Sequence, residues 1–195
     1  MEPTAVDVRW HLGRTADEAL ADHARTVAGP DPSAAVAVGR LCPQCGSAAH
    51  GRPWVEVRDG YAARRLEVSL ARSGPHVVTA VAGHPVGVDV EGVAAVEGGW
   101  DPALVLAPGE RADSPLERAR AWTRKEAVLK ARGTGLATPM STLVLAEVDW
   151  EDLPAPDGYV AALSTGAVAT RISPAGRAAP SAAATRRTAR PGPRR

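Results

Sequence analysis

The run SPLERARAWTRKEAVLKARG, residues 114–133, reads as one helix with both ends marked. Ser114 is a good N-cap, Pro115 suits the first helical position, and Glu117 completes a capping box with Ser114. Gly133 supplies the C-terminal stop. A helix expected over 115–132 anchors the reading of the rest. At about 100° per residue, Trp122 and Leu129 fall within about 20° of each other on an apolar stripe. Lys125 and Glu126 flank that stripe on opposite sides, and Glu126 and Lys130 form an i, i+4 pair on its edge.

Upstream, Val86-Gly87-Val88-Asp89-Val90-Glu91 alternates as a strand. The three valines share one face, and Asp89 and Glu91 share the other. Two carboxylates so placed stand about 6–7 Å apart. Their repulsion at an effective dielectric near 20 is roughly 2–3 kcal/mol, which solvent screens or a cation removes. By itself such a pair is more often a solvated edge. Glu126, Lys125 and Lys130 on the helix add a third acid and two ammonium groups. This is a donor set for a hard divalent cation and a phosphorylated substrate.

Lysine usage sharpens the point. The chain has 21 arginines and two lysines, Lys125 and Lys130, five residues apart. A chain that uses Arg nearly everywhere keeps a compact, mobile ammonium twice in one helix.

Outward from these motifs, strands are expected at 5–10, 54–57, 66–70, 76–81, 86–91, 142–148 and 158–163. Helices are expected at 17–27 and, shorter, at 34–41. Ala82-Gly83-His84-Pro85 reads as a hairpin turn joining the strands on either side. A loop is expected at 92–101, and 102–107 and 109–113 are ambiguous. The order implies an α+β chain of two related α/β halves with a seam near residue 82. The N-terminal half is then 1–82 and the C-terminal half 83–172. The tail, 173–195, is rich in Arg, Ala and Pro, has almost no large apolar residue, and is expected to be disordered.

Hydrophobic residues make up 45% of the 195 and no stretch has the roughly 18 uncharged apolar residues of a membrane helix. Met1-Glu2-Pro3-Thr4 does not begin a signal peptide, so a cytoplasmic location is expected. Seven of the 23 basic residues and none of the 22 acidic ones lie at 171–195, which leaves 1–170 at −6. The body offers no basic face to a nucleic acid, so the arginine tail reads as a solvated extension rather than a binding arm. Cys42-Pro43-Gln44-Cys45 with His50 reads as a reduced turn or a partial metal site, because no second ligand pair exists.

Gly87-Val88-Asp89-Val90-Glu91 and, about 30 residues on, Trp122-x-x-Lys125-Glu126-x-x-x-Lys130-x-x-Gly133 resemble the paired signature of the 4′-phosphopantetheinyl transferase superfamily, in its larger, surfactin-synthetase-activating form. Gly51-Arg52-Pro53 and Val68-Ser69-Leu70-Ala71-Arg72-Ser73-Gly74 resemble two further family pieces. The resemblance spans about 51–135, with a weaker continuation to 163. It implies a pseudo-twofold fold and transfer of phosphopantetheine from coenzyme A to a serine of an acyl or peptidyl carrier protein. Carried over by position, Asp89, Glu91 and Glu126 would bind magnesium, and Glu126 would also act as base. Lys130 would stabilise the leaving 3′,5′-ADP. Lys125, Arg52, Arg72 and Ser73 would contact coenzyme A. The chain departs from the family at Ala71, where a serine is usual, at Arg72, where a histidine is usual, and in its short N-terminal half. These departures motivate an alternative, a weak relative that binds coenzyme A or a carrier domain without efficient turnover. The chain is expected to act as a monomer.

Overall fold

The computed structural model describes residues 5–29, 34–60 and 62–167. The tail expected to be disordered, 173–195, and part of the turn at 28–33 lie outside the described residues. The chain is α+β, as the order of elements implies, with two antiparallel sheets. Among the described residues, no helix is long and apolar enough to cross a membrane.

The first sheet has five strands: β1 (Asp7–Leu12), β2 (Ala35–Leu41), β3 (Arg52–Asp59), β4 (Ala62–Ser73) and β5 (His76–Ala82), in the order β1-β5-β4-β3-β2. Helix α1 (Ala16–Ala28) lies on one face, held at its start by a Thr15–Glu18 capping box. Its Leu20 and Ala24 pack against Val55, Val57, Leu66, Val68 and Val81. The second sheet has three strands, β6 (Gly87–Gly92), β7 (Glu151–Leu153) and β8 (Tyr159–Ser164), in the order β6-β8-β7. Helices α2 (Val93–Gly98), α3 (Pro102–Val105) and α4 (Pro115–Ala131) follow β6.

Helix α4 has the ends its sequence marks. The Ser114–Glu117 capping box forms. At the far end Gly133, at φ +70°, lets Thr134 N–H donate to Leu129 O and Gly133 N–H to Lys130 O. That is the Schellman pattern.

Several expectations need correction. Residues 34–41 are not helical but form β2, where Val36 and Val38 fall on one face as β-branched residues prefer. Gly39 sits there under the Trp54 ring, 2.6 Å from where a Cβ would lie. The turn at 82–85 is not a hairpin. Both flanks of β5 are already taken by β1 and β4, so β6 leaves to pair with β8 in the other sheet. Residues 92–101 include α2, and 102–105 form α3 behind an Asp101 cap. The stretch 142–148 is not a strand. It runs as 3-10 turns at Met140–Thr142 and Leu145–Glu147. Leu143 O, with Met140 O just before the stretch, accepts from the buried Lys125 ammonium instead of pairing in a ladder.

The sheets meet where β4 passes β6. Val88 N–H donates to Ser69 Oγ and Gly92 N–H to Ser73 Oγ, both at 3.0 Å. Strand β6 is an edge of its own sheet, and two serine hydroxyls four residues apart satisfy backbone donors that an edge leaves unpaired. Ala71, between those serines, is buried in the apolar cluster with Val88 and Val90.

Candidate active site

Strand β6 and helix α4 are pressed together at Gly87. A Cβ at that position would lie 1.9 Å from Ala127 O and 2.4 Å from Ala131 N. Only glycine permits this approach. It brings the carboxylate face of β6 alongside the Glu126 and Lys130 edge of α4.

Asp89 is buried. Its Oδ1 accepts from Lys130 Nζ at 2.6 Å, and Lys130 Nζ also donates to Val88 O at 3.3 Å. Asp89 Oδ2 is buried with no hydrogen-bond partner. Glu91 Oε2 accepts from Ser73 Oγ at 3.3 Å. Burial pushes all three carboxyl groups up from their ordinary values. For Asp89 the Lys130 ammonium opposes the rise. For Glu126 Lys130 opposes and the Asp89 charge adds. Glu91 is pushed up to about 7, by burial first, then by Asp89, with a smaller push from Glu126. The three acids therefore feel one another and share one ammonium.

These carboxyl oxygens do not close into a group with every ligand atom within 4.8 Å; among the described residues, Cys42, Cys45 and His50 form such a group. The acids nevertheless fit a hard divalent cation. Their donors are all oxygen, one buried oxygen is orphaned, and their mutual repulsion is what a cation relieves.

Glu126 and Lys130 line a groove of about 920 Å³ together with Arg52, Trp54, Ser69 and Gly133. Arg52 Nη2 donates to Glu67 Oε2 at 2.9 Å. Its Nη1 lies 2.9 Å from where a Cβ on Gly133 would stand, so the helix stop also makes room for the guanidinium. Arg52, Glu126 and Lys130 thus share one groove. Asp89 joins them through Lys130, and Glu91 through its coupling to Asp89 and Glu126.

Three residues expected to contact coenzyme A, Ser73, Arg72 and Lys125, are not among those that line the groove. Ser73 is engaged twice by protein, accepting from Gly92 N–H and donating to Glu91, so it positions a carboxylate. Arg72 is exposed and shares its face of β4 with Val68 and Leu70, the α1 side of the sheet, opposite Ser73. Lys125 is fully buried. Its Nζ donates to Val105 O and Leu143 O at 2.7 Å, to Met140 O at 3.2 Å and to Glu110 Oε2. Neighbours on a helix differ by about 100°, so with Glu126 at the groove Lys125 is driven a quarter-turn away, into the packing behind α4.

Sequence reasoning missed Glu110, which pairs with Lys125 and accepts from the N–H groups of Leu145 and Ala107. Its ion-pair partner Lys125 and its partner Leu145 are 15 and 35 residues away, and the one near contact, Ala107 N–H, is a backbone group that no residue type marks. Ser69 was also missed as a tether. Its spacing of four from Ser73 on one strand face was the available signal.

Residues 85–173, a little under half of the chain, match the family model described as the 4′-phosphopantetheinyl transferase superfamily. No curated protein matches the chain. The superfamily uses coenzyme A as co-substrate and acts on carrier proteins. The matched segment contains β6 with its two acids and α4 with Glu126 and Lys130, and in this segment the chain is similar to the 4′-phosphopantetheinyl transferase superfamily.

Proposed function

We propose that this chain is a magnesium-dependent enzyme of the larger, surfactin-synthetase-activating type, moving phosphopantetheine from coenzyme A to a serine hydroxyl of an acyl or peptidyl carrier protein. One observation carries the reading. Glu126 and Lys130, one turn apart on α4, line the same groove as Arg52, and Lys130 is ion-paired to Asp89.

Asp89, Glu91 and Glu126 would hold the magnesium ion. Bound there, the ion supplies positive charge against the pyrophosphate of coenzyme A. Lys130 has three donors, of which Asp89 and Val88 O take two. The remaining donor is available to the pyrophosphate and to the leaving oxygen. Glu126, with its carboxyl raised by burial, is suited to take the proton of the carrier serine, because a base works best with a pKa near the working pH. The serine oxygen then forms a bond to the β-phosphorus, and the bond from that phosphorus to the oxygen of 3′,5′-ADP breaks. Arg52 would meet the nucleotide phosphate with charge-assisted hydrogen bonds.

The reading extends to architecture. The halves 1–82 and 83–172 would be related by a pseudo-twofold axis, which the origin of one sheet in residues 7–82 and the other in 87–164 supports. A monomer acting in the cytoplasm fits this reading.

The test is intact-mass spectrometry of several apo carriers after incubation with coenzyme A and magnesium. A phosphopantetheine adduct on the carrier serine, with 3′,5′-ADP released in equal amount and none formed in chelator, is the expected result. Absence of an adduct on every carrier, with coenzyme A still bound by calorimetry, would replace the transferase reading with that of a binder without turnover.

A further inference from the structure

The loop between β2 and β3 plays no part in the chemistry above, yet it gathers three metal-type donors. A sulfur of Cys42, a sulfur of Cys45 and a ring nitrogen of His50 all lie within 4.8 Å of one another. Cys45 Sγ and His50 Nε2 are 3.4 Å apart. Both thiols are free. We propose that Cys42, Cys45 and His50 bind a zinc ion, independently of the carboxylate site on β6 and α4.

The backbone is folded for this. Cys42 N–H donates to Ser47 O at 2.9 Å, and Gly46 N–H donates back to Cys42 O at 2.8 Å. Gly46 turns the chain at φ +71°. The N–H groups of Cys45 and Gln44 are directed at the Cys42 sulfur, which favours its thiolate form. The chain then returns so tightly that a Cβ on Gly51, at φ +104°, would lie 2.5 Å from the Cys42 backbone. Two cysteines three residues apart on such a turn present both sulfurs to one side, close to the His50 ring.

A disulfide would use two of these donors and leave the imidazole without a purpose. Two thiolates and an imidazole suit zinc and do not suit magnesium, which takes oxygen ligands. On binding, each thiol releases its proton to solvent as a zinc–sulfur bond forms, and the neutral imidazole donates its lone pair. Three protein ligands leave one tetrahedral position for water or an outside donor. Cys42 opens the loop that Gly51 closes, and both line the groove with Arg52. A zinc ion would pin this loop and so set where the Arg52 guanidinium stands.

The untagged full chain, purified without added metal, is expected to carry one equivalent of zinc by elemental mass spectrometry. Replacement by cobalt(II) is expected to give thiolate-to-cobalt charge-transfer bands and the visible bands of a tetrahedral site. Cys45 and His50 are exposed, so Cys45→Ser and His50→Ala should keep the far-ultraviolet circular dichroism of the parent. Each should weaken cobalt binding by more than the ~10-fold that loss of an outer-shell partner costs. Absence of both zinc and the cobalt bands would overturn the proposal. So would a Cys42–Cys45 disulfide in freshly purified chain, or bands that persist in both variants. None of these readouts involves transfer, so the zinc site and the transferase reading fail separately.

Discussion

Substitution of Lys125 by methionine separates a structural lysine from a substrate-binding one. Methionine keeps the length and most of the volume of the side chain but removes the ammonium. Lys125 has no exposed side-chain surface and Glu110 is 17% exposed, so the pair is desolvated. The substitution leaves the carbonyls of Val105, Met140 and Leu143 without this donor. Glu110 keeps two backbone N–H partners, from Leu145 and Ala107, which softens its loss. Breaking a buried ion pair from one side costs about 3–5 kcal/mol. For a chain of this size that lowers Tm by roughly 6–20 °C. The assay is a thermal melt, paired with coenzyme A titration at low temperature where the variant is still folded. The expected result is a large loss of Tm with the KM for coenzyme A unchanged. The control is Lys130→Met, which faces the groove and should lose transfer while losing less stability, because Asp89 can take up a proton. A Lys125→Met variant with parental Tm and a raised KM would refute the reasoning and return Lys125 to the phosphate site.

Further outcomes are expected. Glu126→Gln should lower transfer by at least ~10²-fold, the usual worth of a general base, with the melt preserved; parental rates would remove Glu126 from the chemistry. Gly87→Ala should destabilise by roughly 1–3 kcal/mol through the clash with Ala127 O, read as a lower urea midpoint, and a neutral effect would mean that β6 and α4 do not abut there. In chelator, Glu91 holds a proton in the folded chain from its ordinary 4.5 up to about 7. Its stabilising contribution is full below 4.5 and is lost as pH rises through about 7. Since the carboxyl is about half in solvent, the loss is discounted to roughly 1–2 kcal/mol. His11 and His23, held low by burial, act in the opposite sense below about 6.5. The readout is therefore the difference in urea midpoint between the parent and Glu91→Gln from pH 5 to 8. Magnesium should recover the parent at pH 8; a difference that stays flat across this range would contradict the burial of Glu91.

The sequence by itself determined the elements whose signals are local. The span and both caps of α4 are written in Ser114, Glu117 and Gly133. The strand carrying Asp89 and Glu91 is written in its alternation, and the shared helix edge of Glu126 and Lys130 in their spacing. Period and capping chemistry act within a turn or two, so one chain suffices to read them. Only the tertiary structure decided which strand β6 joins, because that depended on β5 already having a neighbour on each side. It also decided that 142–148 would not be a strand, since a buried ammonium from another element claimed two carbonyls of the segment 140–143. Lys125 and Lys130 look equivalent in one helix, and the packing around α4 gives them opposite tasks, one enclosed by carbonyls and one turned to the groove. Whether an ionisable side chain meets solvent or protein is set by what lies across from it, and those partners are far away in the chain.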